Sequence, residues 1–506
     1  MNRLNRASIN MLAGAGGYVV PIFVNLISIP LLLRGLGEAA FGLQSLVAVI
    51  IGYLTIMDMG LTWPIIKYLA EDRAKNDTES ANRMLSTTLN LYGMIGIVGM
   101  VVIFLAAEWL ARSVFKMPAE LIPQATLVFR LASIGFLGSV GMSWGQALSM
   151  GLQRYDLNYS VSVPLSTAGT LIGVGVVYAG YGVVGYVLTR TLFTIIAGPT
   201  YFIITRHLLP DFNFRWGLDK ATLRRVRGYV GYGAINRVVS SLVSRLDQTL
   251  LGIWLGVAAA GIYSVPFLMA NSLGYMLAYM LGFIFPMASE LQSLGQMDRL
   301  RDIFIRSSQF IAALAGLIFI PLFILGDLFL TLWTPTISAK ATDVLRLLAL
   351  AGYIGTLTAT LPNNVMVGLG KMRQFTIYTT IRAVALATFC FIFIRSLGIV
   401  GAGWALLLTC SVDIIYLVIV LRGYIQIGVM QLFRQAYLKS MALSVVLGAL
   451  VWFTRPWGHS WLGLIAIISV MELVYIFIGF RLGIFGETEK RAVAGLWEMR
   501  NVLFRK

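Results

Sequence analysis

Apolar runs of about 20 residues, separated by short polar turns, fill almost the whole chain. A helix rises about 1.5 Å per residue, so a run of about 20 apolar residues spans the hydrocarbon core of a bilayer. The pattern predicts an all-α polytopic membrane protein with about fourteen transmembrane helices. They lie near residues 11–33, 42–66, 85–109, 125–147, 161–180, 183–205, 229–253, 262–288, 307–330, 341–367, 376–396, 400–421, 438–455 and 461–481.

Composition supports this prediction and excludes a large soluble catalytic domain. Of the 506 residues, 58% are hydrophobic and 12% are charged, whereas soluble domains carry about 25% charged residues. Cys390 and Cys410 lie in apolar runs, so we expect them to be buried small apolar residues. His207 and His459 are far apart and flank loops, so the sequence predicts no metal site.

The net charge of +17 acts mainly as an orientation signal. With the N-terminus in the cytoplasm, 27 of the 39 Lys and Arg residues fall in cytoplasmic loops and tails, and six fall in outer loops. Because cytoplasmic loops carry the excess of positive charge, we expect both termini in the cytoplasm and no nucleic-acid partner. The most basic internal loop, Arg206 to Arg227, is either solvated or in contact with anionic membrane lipids.

Short motifs recur along the chain at nearly constant spacing. Residues 36–45 resemble 255–264 at an offset of 219, 151–154 resemble 368–371 at 217, and 182–185 resemble 398–401 at 216. The offset covers six predicted helices, an even number, so the two copies enter the membrane with the same orientation. Parallel repeats place a substrate site between them, near the membrane midplane.

The duplication predicts three parts of the chain. Residues 1–220 form an N-terminal six-helix lobe, and residues 221–428 form a C-terminal six-helix lobe. Residues 429–506 hold two extra transmembrane helices and a cytoplasmic tail. The two lobes are expected to rock against each other.

Six arginines fall inside the predicted helices, where a charge is costly unless it is paired or faces water. They are Arg130, Arg190, Arg237, Arg245, Arg346 and Arg382. Guanidinium groups bind phosphate oxygens bidentately. We therefore predict that a central cavity binds an anionic substrate through four of them, Arg190, Arg237, Arg245 and Arg382. Snorkelling or an ion pair between helices is the alternative for each arginine, above all for Arg130 and Arg346.

Four acidic residues also fall at membrane depth: Asp58, Asp247, Asp413 and Glu472. Such groups bind a coupling proton or sodium ion, or they neutralise arginines. Asp58 and Asp247 are the candidates for ion coupling, and no other cofactor is predicted. Asp247 lies about 200° around a regular helix from Arg245, so the two side chains are not expected to pair.

Prolines inside the predicted helices are candidate hinges, because each proline frees a backbone carbonyl and permits a bend. Pro21 and Pro30, with Asn25 between them, make the first helix a candidate gate. Pro362 makes a similar case in the second half of the chain. A static kink satisfied by neighbouring helices is the alternative.

Several segments together resemble the oligosaccharide and polysaccharide flippase family of the multidrug/oligosaccharidyl-lipid/polysaccharide exporter superfamily. They are Leu36–Leu43, Met57–Leu61, Gly151–Asp156, Arg245–Asp247, Leu255–Gly256 and Gly261–Tyr263. The resemblance runs from residue 10 to about residue 420, and Met57 and Met59 stand where leucine is more usual.

This resemblance implies a pair of six-helix bundles that moves an undecaprenyl-pyrophosphate-linked oligosaccharide across the bacterial inner membrane by alternating access. Such a protein serves O-antigen or exopolysaccharide biosynthesis, has no catalytic residues, and acts beside polysaccharide polymerase machinery. Two alternatives remain open. A membrane polysaccharide polymerase or ligase would need a longer outer loop, and a drug/cation antiporter would need an acidic, apolar cavity.

Overall fold

The computed structural model describes residues 3–54, 61–152, 154–227, 239, 241, 243–281, 284–336 and 338–485. Every regular element in these ranges is a helix. Eleven helical segments among them are long and apolar enough to cross a membrane. The all-α polytopic fold class is therefore confirmed.

Eleven segments do not map one to one onto the fourteen predicted helices. The segment Val20–Tyr53 covers most of the first predicted helix and much of the second, and Ser160–Leu208 covers the fifth and sixth. Of the seventh prediction, 229–253, about half falls on residues outside the described ranges. The count of fourteen therefore stays a prediction.

Packing divides the chain into two compact units. The first unit contains residues 1–265 and 386–402, and the second unit contains residues 266–385 and 403–506. The lobes predicted at 1–220 and 221–428 are defined by the sequence repeat and stay a prediction.

The first unit is built on nine helices of the described residues. They are α1 (Arg3–Leu54), α2 (Thr62–Ala74), α3 (Thr78–Trp109), α4 (Ile122–Gly151), α5 (Tyr155–Val176), α6 (Gly182–Leu208), α7 (Lys220–Arg227), α8 (Leu246–Trp254) and the start of α9 (Val257–Met280). Helix α4 packs against α3 and α6, and α5 packs against α1 and α6. The fully buried Trp144 side chain anchors the α3–α4 interface, and its Nε1 donates to Thr88 Oγ1 at 3.2 Å.

The break in α1 lies at a glycine and not at its prolines. Pro21 and Pro30 both lie inside the continuous helix, whereas Gly37 has a left-handed φ of 77° and interrupts it. Glycine adopts positive φ without the steric cost that a Cβ brings. The chain therefore turns at Gly37, between the first and second predicted helices.

Left-handed glycines recur at positions that the sequence repeat matches. Gly37 (φ 77°) corresponds to Gly256 (φ 88°) at the offset of 219, and Gly182 (φ 57°) corresponds to Gly398 (φ 64°) at 216. The two copies thus share their turn conformations as well as their motifs.

The basic segment that follows α6 and continues into α7 is held against α2 and α3. Asn90 Nδ2 donates to the Arg215 carbonyl at 3.0 Å. Arg225 donates to both carboxylate oxygens of the buried Asp72, at 3.2 and 3.0 Å, and lies over the Tyr68 ring. The hydrogen bond with Asp72 raises the pKa of Arg225. This part of the loop is therefore docked, and not simply solvated.

The second unit contains the rest of α9 and nine further helices of the described residues. They are α10 (Ile284–Ser293), α11 (Met297–Trp333), α12 (Ser338–Gly355), α13 (Leu361–Gly368), α14 (Met372–Leu397), α15 (Ile399–Val420), α16 (Val429–Leu432), α17 (Leu438–Thr454) and α18 (Trp461–Arg481). Residues 386–402 of α14 and α15 belong to the first unit. Helix α11 packs against α12 and α17, and α17 packs against α18.

Large apolar side chains on the outside of α17 and α18 are exposed, as lipid-facing residues are. Val445 is 72% exposed and Leu462 is 83% exposed. Since lipid is as apolar as these side chains, such exposure is unfavourable only in water. The last two helices therefore face lipid on one side and pack on α11 on the other.

Candidate functional site

A buried ion pair joins α14 and α15 in the second unit. Arg382 Nε donates to Asp413 Oδ1 at 2.9 Å. The Tyr378 hydroxyl donates to the same carboxylate oxygen at 2.7 Å. Arg382 lies ten residues into its helix, about 15 Å from the helix start at 1.5 Å per residue. The pair therefore lies deep within two apolar helices.

The surroundings of this pair are incompletely hydrogen bonded. Asp413 Oδ2 is buried and has no hydrogen-bond partner among the described residues, and the same holds for the Tyr416 hydroxyl. The Tyr416 ring stacks on Tyr378 with centroids 3.7 Å apart. Buried polar atoms of this kind are uncommon in folded proteins and usually have a functional or solvent explanation. We define Arg382, Asp413, Tyr378 and Tyr416 as the α14–α15 cluster.

A second buried carboxylate lies in the first unit. The Tyr263 hydroxyl donates to Asp247 Oδ2, and the Gln248 backbone N–H donates to Asp247 Oδ1 at 2.8 Å. Asp247 is 1% exposed. The Asp247 carboxylate is thus hydrogen bonded by Tyr263 of α9 and by the backbone of its own helix.

Arg245 stands immediately before α8, at its N-cap position. Its side chain is half-buried and passes over Gly52 of α1, where a Cβ would lie 3.6 Å from Nε. Close by, the Tyr53 hydroxyl and Thr249 Oγ1 share a hydrogen bond of 2.5 Å. Arg245 and Asp247 are therefore brought close to the second half of α1.

The other membrane arginines lie in different surroundings. Arg190 is exposed, and its Nη1 lies 3.3 Å from Thr170 Oγ1 and 3.4 Å from the Tyr186 hydroxyl. Arg130 lies over the Phe104 ring, 5.1 Å from its centroid.

Arg346 has carboxylate partners on two helices. It lies 3.7 Å from Asp327 and 3.7 Å from Asp343. Arg346 therefore forms ion pairs, which was the alternative to a substrate-binding role.

The acidic residue Glu472 is half-buried on α18.

Two predicted site residues, Arg237 and Asp58, lie outside the described residues. The candidate gating residues Asn25, Pro21 and Pro30 are half-buried on α1. Pro362 is buried in the first turn of α13, directly after a π-helical segment at Thr356–Thr360. π-helical segments are frequent at functional sites, but the gating roles stay predictions.

The two copies of the repeat touch each other at matched residues within the first unit. Ser45 Oγ donates to Ser264 Oγ at 3.1 Å, and the two serines are 219 positions apart. At Gly261 a Cβ would lie 2.8 Å from Gly42 Cα and 3.0 Å from the Glu38 carbonyl oxygen. Gly42 and Gly261 are also matched at the offset of 219. Each copy therefore meets its own counterpart, which is the geometry of a local two-fold axis.

Sequence reasoning did not find the tyrosines that complete the two carboxylate sites. Tyr263 lies 16 residues after Asp247, and Tyr378 lies 35 residues before Asp413. No periodicity links such positions, because the contacts join different helices. The Ser45–Ser264 contact did have a signal, since the repeat matched these two serines.

No group of three or more His, Cys, Asp or Glu side chains that could hold a metal ion occurs within the described ranges. Cys390 and Cys410 are both free and buried. The prediction that they are buried small residues is therefore confirmed.

Sequence comparisons identify relatives over most of the chain. The profile of the family described as polysaccharide biosynthesis protein matches residues 31–334. A putative O-antigen transporter of Shigella flexneri is 21% identical over 396 residues, which are 76% of this chain and 90% of the relative. An uncharacterized membrane protein, EpsK of Bacillus subtilis (strain 168), is 22% identical over 362 residues, 70% of each chain.

Structural comparisons show the same fold in two transporters. The lipid II flippase MurJ in its inward closed conformation aligns with a TM-score of 0.66 at 12% identity, over 94% of this chain and 99% of MurJ. An inward-facing multidrug resistance MATE transporter of the MOP superfamily aligns with a TM-score of 0.65 at 17% identity, over 88% and 99%. The resemblance found in the sequence is therefore confirmed. Because the family profile covers more than half of the chain, this protein belongs to the polysaccharide biosynthesis protein family of multi-pass membrane proteins.

Proposed function

We propose that this protein is a flippase that moves an undecaprenyl-pyrophosphate-linked oligosaccharide across the bacterial inner membrane. The oligosaccharide then serves the biosynthesis of a surface polysaccharide, an O-antigen or an exopolysaccharide. The protein acts as a transporter and not as an enzyme, and both of its termini lie in the cytoplasm. The positive charge of the loops supports this orientation.

The contact between Ser45 and Ser264 carries the proposal. Parallel repeats work by moving one copy against the other around a site near the membrane midplane. A contact between matched residues lies near the axis that relates the copies, and it breaks when the copies move apart at this point. In the proposed orientation this contact lies at the outer side, close to the turns at Gly37 and Gly256. We infer that opening to the outer side would break this contact.

Cations inside the membrane support an anionic substrate. In the first unit, Arg190 lies on α6 and Arg245 stands directly before α8, and Arg382 lies on α14 in the second unit. Each guanidinium has five donors in a fixed fork that suits phosphate oxygens. A pyrophosphate carries the charge that these arginines complement, whereas a cationic drug does not.

Reconstituted vesicles test the proposal. A fluorescent lipid-linked oligosaccharide is placed in the membrane, and a membrane-impermeant glycosidase reports how much of its glycan reaches the outside. We expect protein-dependent exposure of the glycan with no change in its length, and slower exposure with Arg245→Gln. Lengthened glycan chains would favour a polymerase. Uptake of a cationic dye without glycan movement would favour a drug/cation antiporter.

A further inference from the structure

The α14–α15 cluster has an asymmetry that a purely structural ion pair does not need. The Asp413 side chain is 0% exposed, whereas the Arg382 side chain is 29% exposed. The Arg382 side chain is therefore partly open to its surroundings, whereas the Asp413 carboxylate is enclosed. If Arg382 turns to another anion, Asp413 is left as an unpaired buried charge.

The pair also leaves donors and acceptors unused on both sides. A strong structural pair of arginine and carboxylate is bidentate, with two parallel N–H to oxygen bonds. Here the hydrogen bond runs from Nε to Oδ1 alone, so the terminal nitrogens of Arg382 are left for another acceptor. On the other side, Asp413 Oδ2 accepts no hydrogen bond from the described residues, and its near neighbour is Gly355, where a Cβ would lie 4.0 Å away.

Packing of the two helices does not require these charges. At the repeat offset of 216, the position that matches Arg382 is Ser166, and the position that matches Asp413 is Ala197. The first copy thus builds the same pair of helices, α5 and α6, without an ion pair at this place. The charges are an addition in the second copy only.

We propose that Arg382 and Asp413 form an exchangeable ion pair, in which a phosphate-bearing anion replaces Asp413 beside Arg382 and a proton from solution neutralises Asp413. In this step a proton from solution converts the Asp413 carboxylate to a neutral acid, and the anion takes the place of the carboxylate beside Arg382; no other covalent bond forms or breaks. A buried carboxylate that loses its cation favours the neutral form. The anion is the pyrophosphate of the substrate in the proposed function, on which the exchange rests.

Every ionisable neighbour of Asp413 has a part in this exchange or stays neutral. From α14, Tyr378 keeps its hydrogen bond to Oδ1, and Arg382 is the group that leaves. From α15 itself, Cys410 donates its Sγ hydrogen to the Ala351 carbonyl of α12. Tyr416, also of α15, is buried, and its hydroxyl has no hydrogen-bond partner among the described residues. On α12, the residue near Asp413 Oδ2 is Gly355, which has no ionisable side chain.

Binding of farnesyl pyrophosphate to the purified full-length protein in nanodiscs tests the exchange. Binding that takes up a proton weakens as the pH rises, so the wild-type Kd should be higher at pH 8 than at pH 6. In Asp413→Asn the carboxylate no longer competes for Arg382, so binding at pH 8 should be tighter than in the wild type. This variant should also lose the pH dependence, apart from that of the probe itself.

Two further variants separate the exchange from a general electrostatic effect. Arg382→Gln should bind the probe at least tenfold more weakly. Arg130→Gln removes a membrane arginine that lies on Phe104, and it should bind like the wild type. Retained thermal transitions establish that each variant is folded.

The results that overturn the exchange are distinct from those that overturn the function. Equal or weaker binding by Asp413→Asn, with the wild-type pH dependence unchanged, would refute the exchange and leave the flippase function standing. Unchanged binding by Arg382→Gln would do the same. No binding of the probe by the wild type at any pH would also refute the exchange, whereas the flippase function is refuted only if no glycan reaches the outside of the vesicles.

Discussion

The close approach of Gly42 and Gly261 gives a sharp prediction for Gly261→Ala. The new Cβ would lie 2.8 Å from Gly42 Cα, 2.9 Å from Gly42 N and 3.0 Å from the Glu38 carbonyl oxygen. All three atoms belong to the backbone and cannot rotate away. Ordinary contacts begin near 3.4 Å, so the two copies must separate by roughly 0.6 Å at this point, which is an overpacking of the kind described for cores.

Overpacking of this kind costs about 1–3 kcal/mol. If the contact forms only in the state that is closed to the outside, the cost falls on that state alone. A change of about 1–3 kcal/mol shifts an equilibrium between two states by roughly 5- to 150-fold. Gly261→Ala should therefore raise the ratio of open to closed molecules by this factor.

Thiol labelling at position 45 measures the shift. Ser45 is 6% exposed, and both natural cysteines are buried, so Ser45→Cys provides a reporter with low background. A membrane-impermeant maleimide added outside should label Ser45→Cys faster when Gly261→Ala is also present. Gly93→Ala on α3, where a Cβ meets nothing within 4 Å, is the control and should leave the labelling rate unchanged.

Two results would refute the reasoning. Labelling at the wild-type rate in Gly261→Ala, together with a lower thermal midpoint, would show that the contact belongs to a static core. Rapid labelling of Ser45→Cys in the otherwise natural chain would show that the outer side is not closed at this point.

Three further predictions follow from contacts in the first unit. The double variant Ser45→Cys/Ser264→Cys should form a disulfide on oxidation, because the native hydroxyls are 3.1 Å apart. Glycan movement in vesicles should stop when the disulfide forms and return when it is reduced. Neither single variant should change its glycan movement on oxidation. Arg225→Ala leaves the buried Asp72 carboxylate without its ion-pair partner. The free energy of unfolding should fall by about 1–3 kcal/mol, a value reduced from that of a fully buried pair because Arg225 is one-third exposed. The thermal midpoint measures this loss, which should be smaller in Arg225→Lys. Hydrogen bonds from the Thr222 backbone N–H and hydroxyl lower the pKa of Asp219. The contribution of Asp219 to stability is therefore present above about pH 4 and is lost as the pH falls through the lowered pKa. Over that pH range, the difference in thermal midpoint between the wild type and Asp219→Asn should shrink.

Much of the fold follows from the hydrophobic pattern, because continuous apolar helices are the stable way for a chain to cross a bilayer. The position of bends was harder to predict. Proline at φ near −65° remains compatible with a helix, and so α1 runs through Pro21 and Pro30 and breaks at Gly37. The left-handed φ of Gly37 depends on the turn that it makes, which the pattern of apolar residues does not record.

The candidate site was only partly predictable. Sequence located Arg382 and Asp413 at membrane depth, but it did not show that they pair, since they lie 31 residues apart on different helices. Which faces of two helices meet depends on packing, and the net periodicity of these helices is weak because lipid and protein surroundings are both apolar. The roles of Arg190, Arg245 and Asp247 stay predictions, and so do those of Arg237 and Asp58 outside the described residues.

The Ser45–Ser264 contact also bears on how such a chain arose. In an isologous interface between two identical subunits, residues near the axis meet their own copies. A six-helix ancestor that paired in this way would have placed one glycine against itself and one serine against itself, and fusion of two copies would preserve both contacts. In the fused chain, Gly42 and Gly261 share a single constraint on size. A larger residue at either position is excluded by the other copy, so the two halves of the chain cannot diverge independently at this contact.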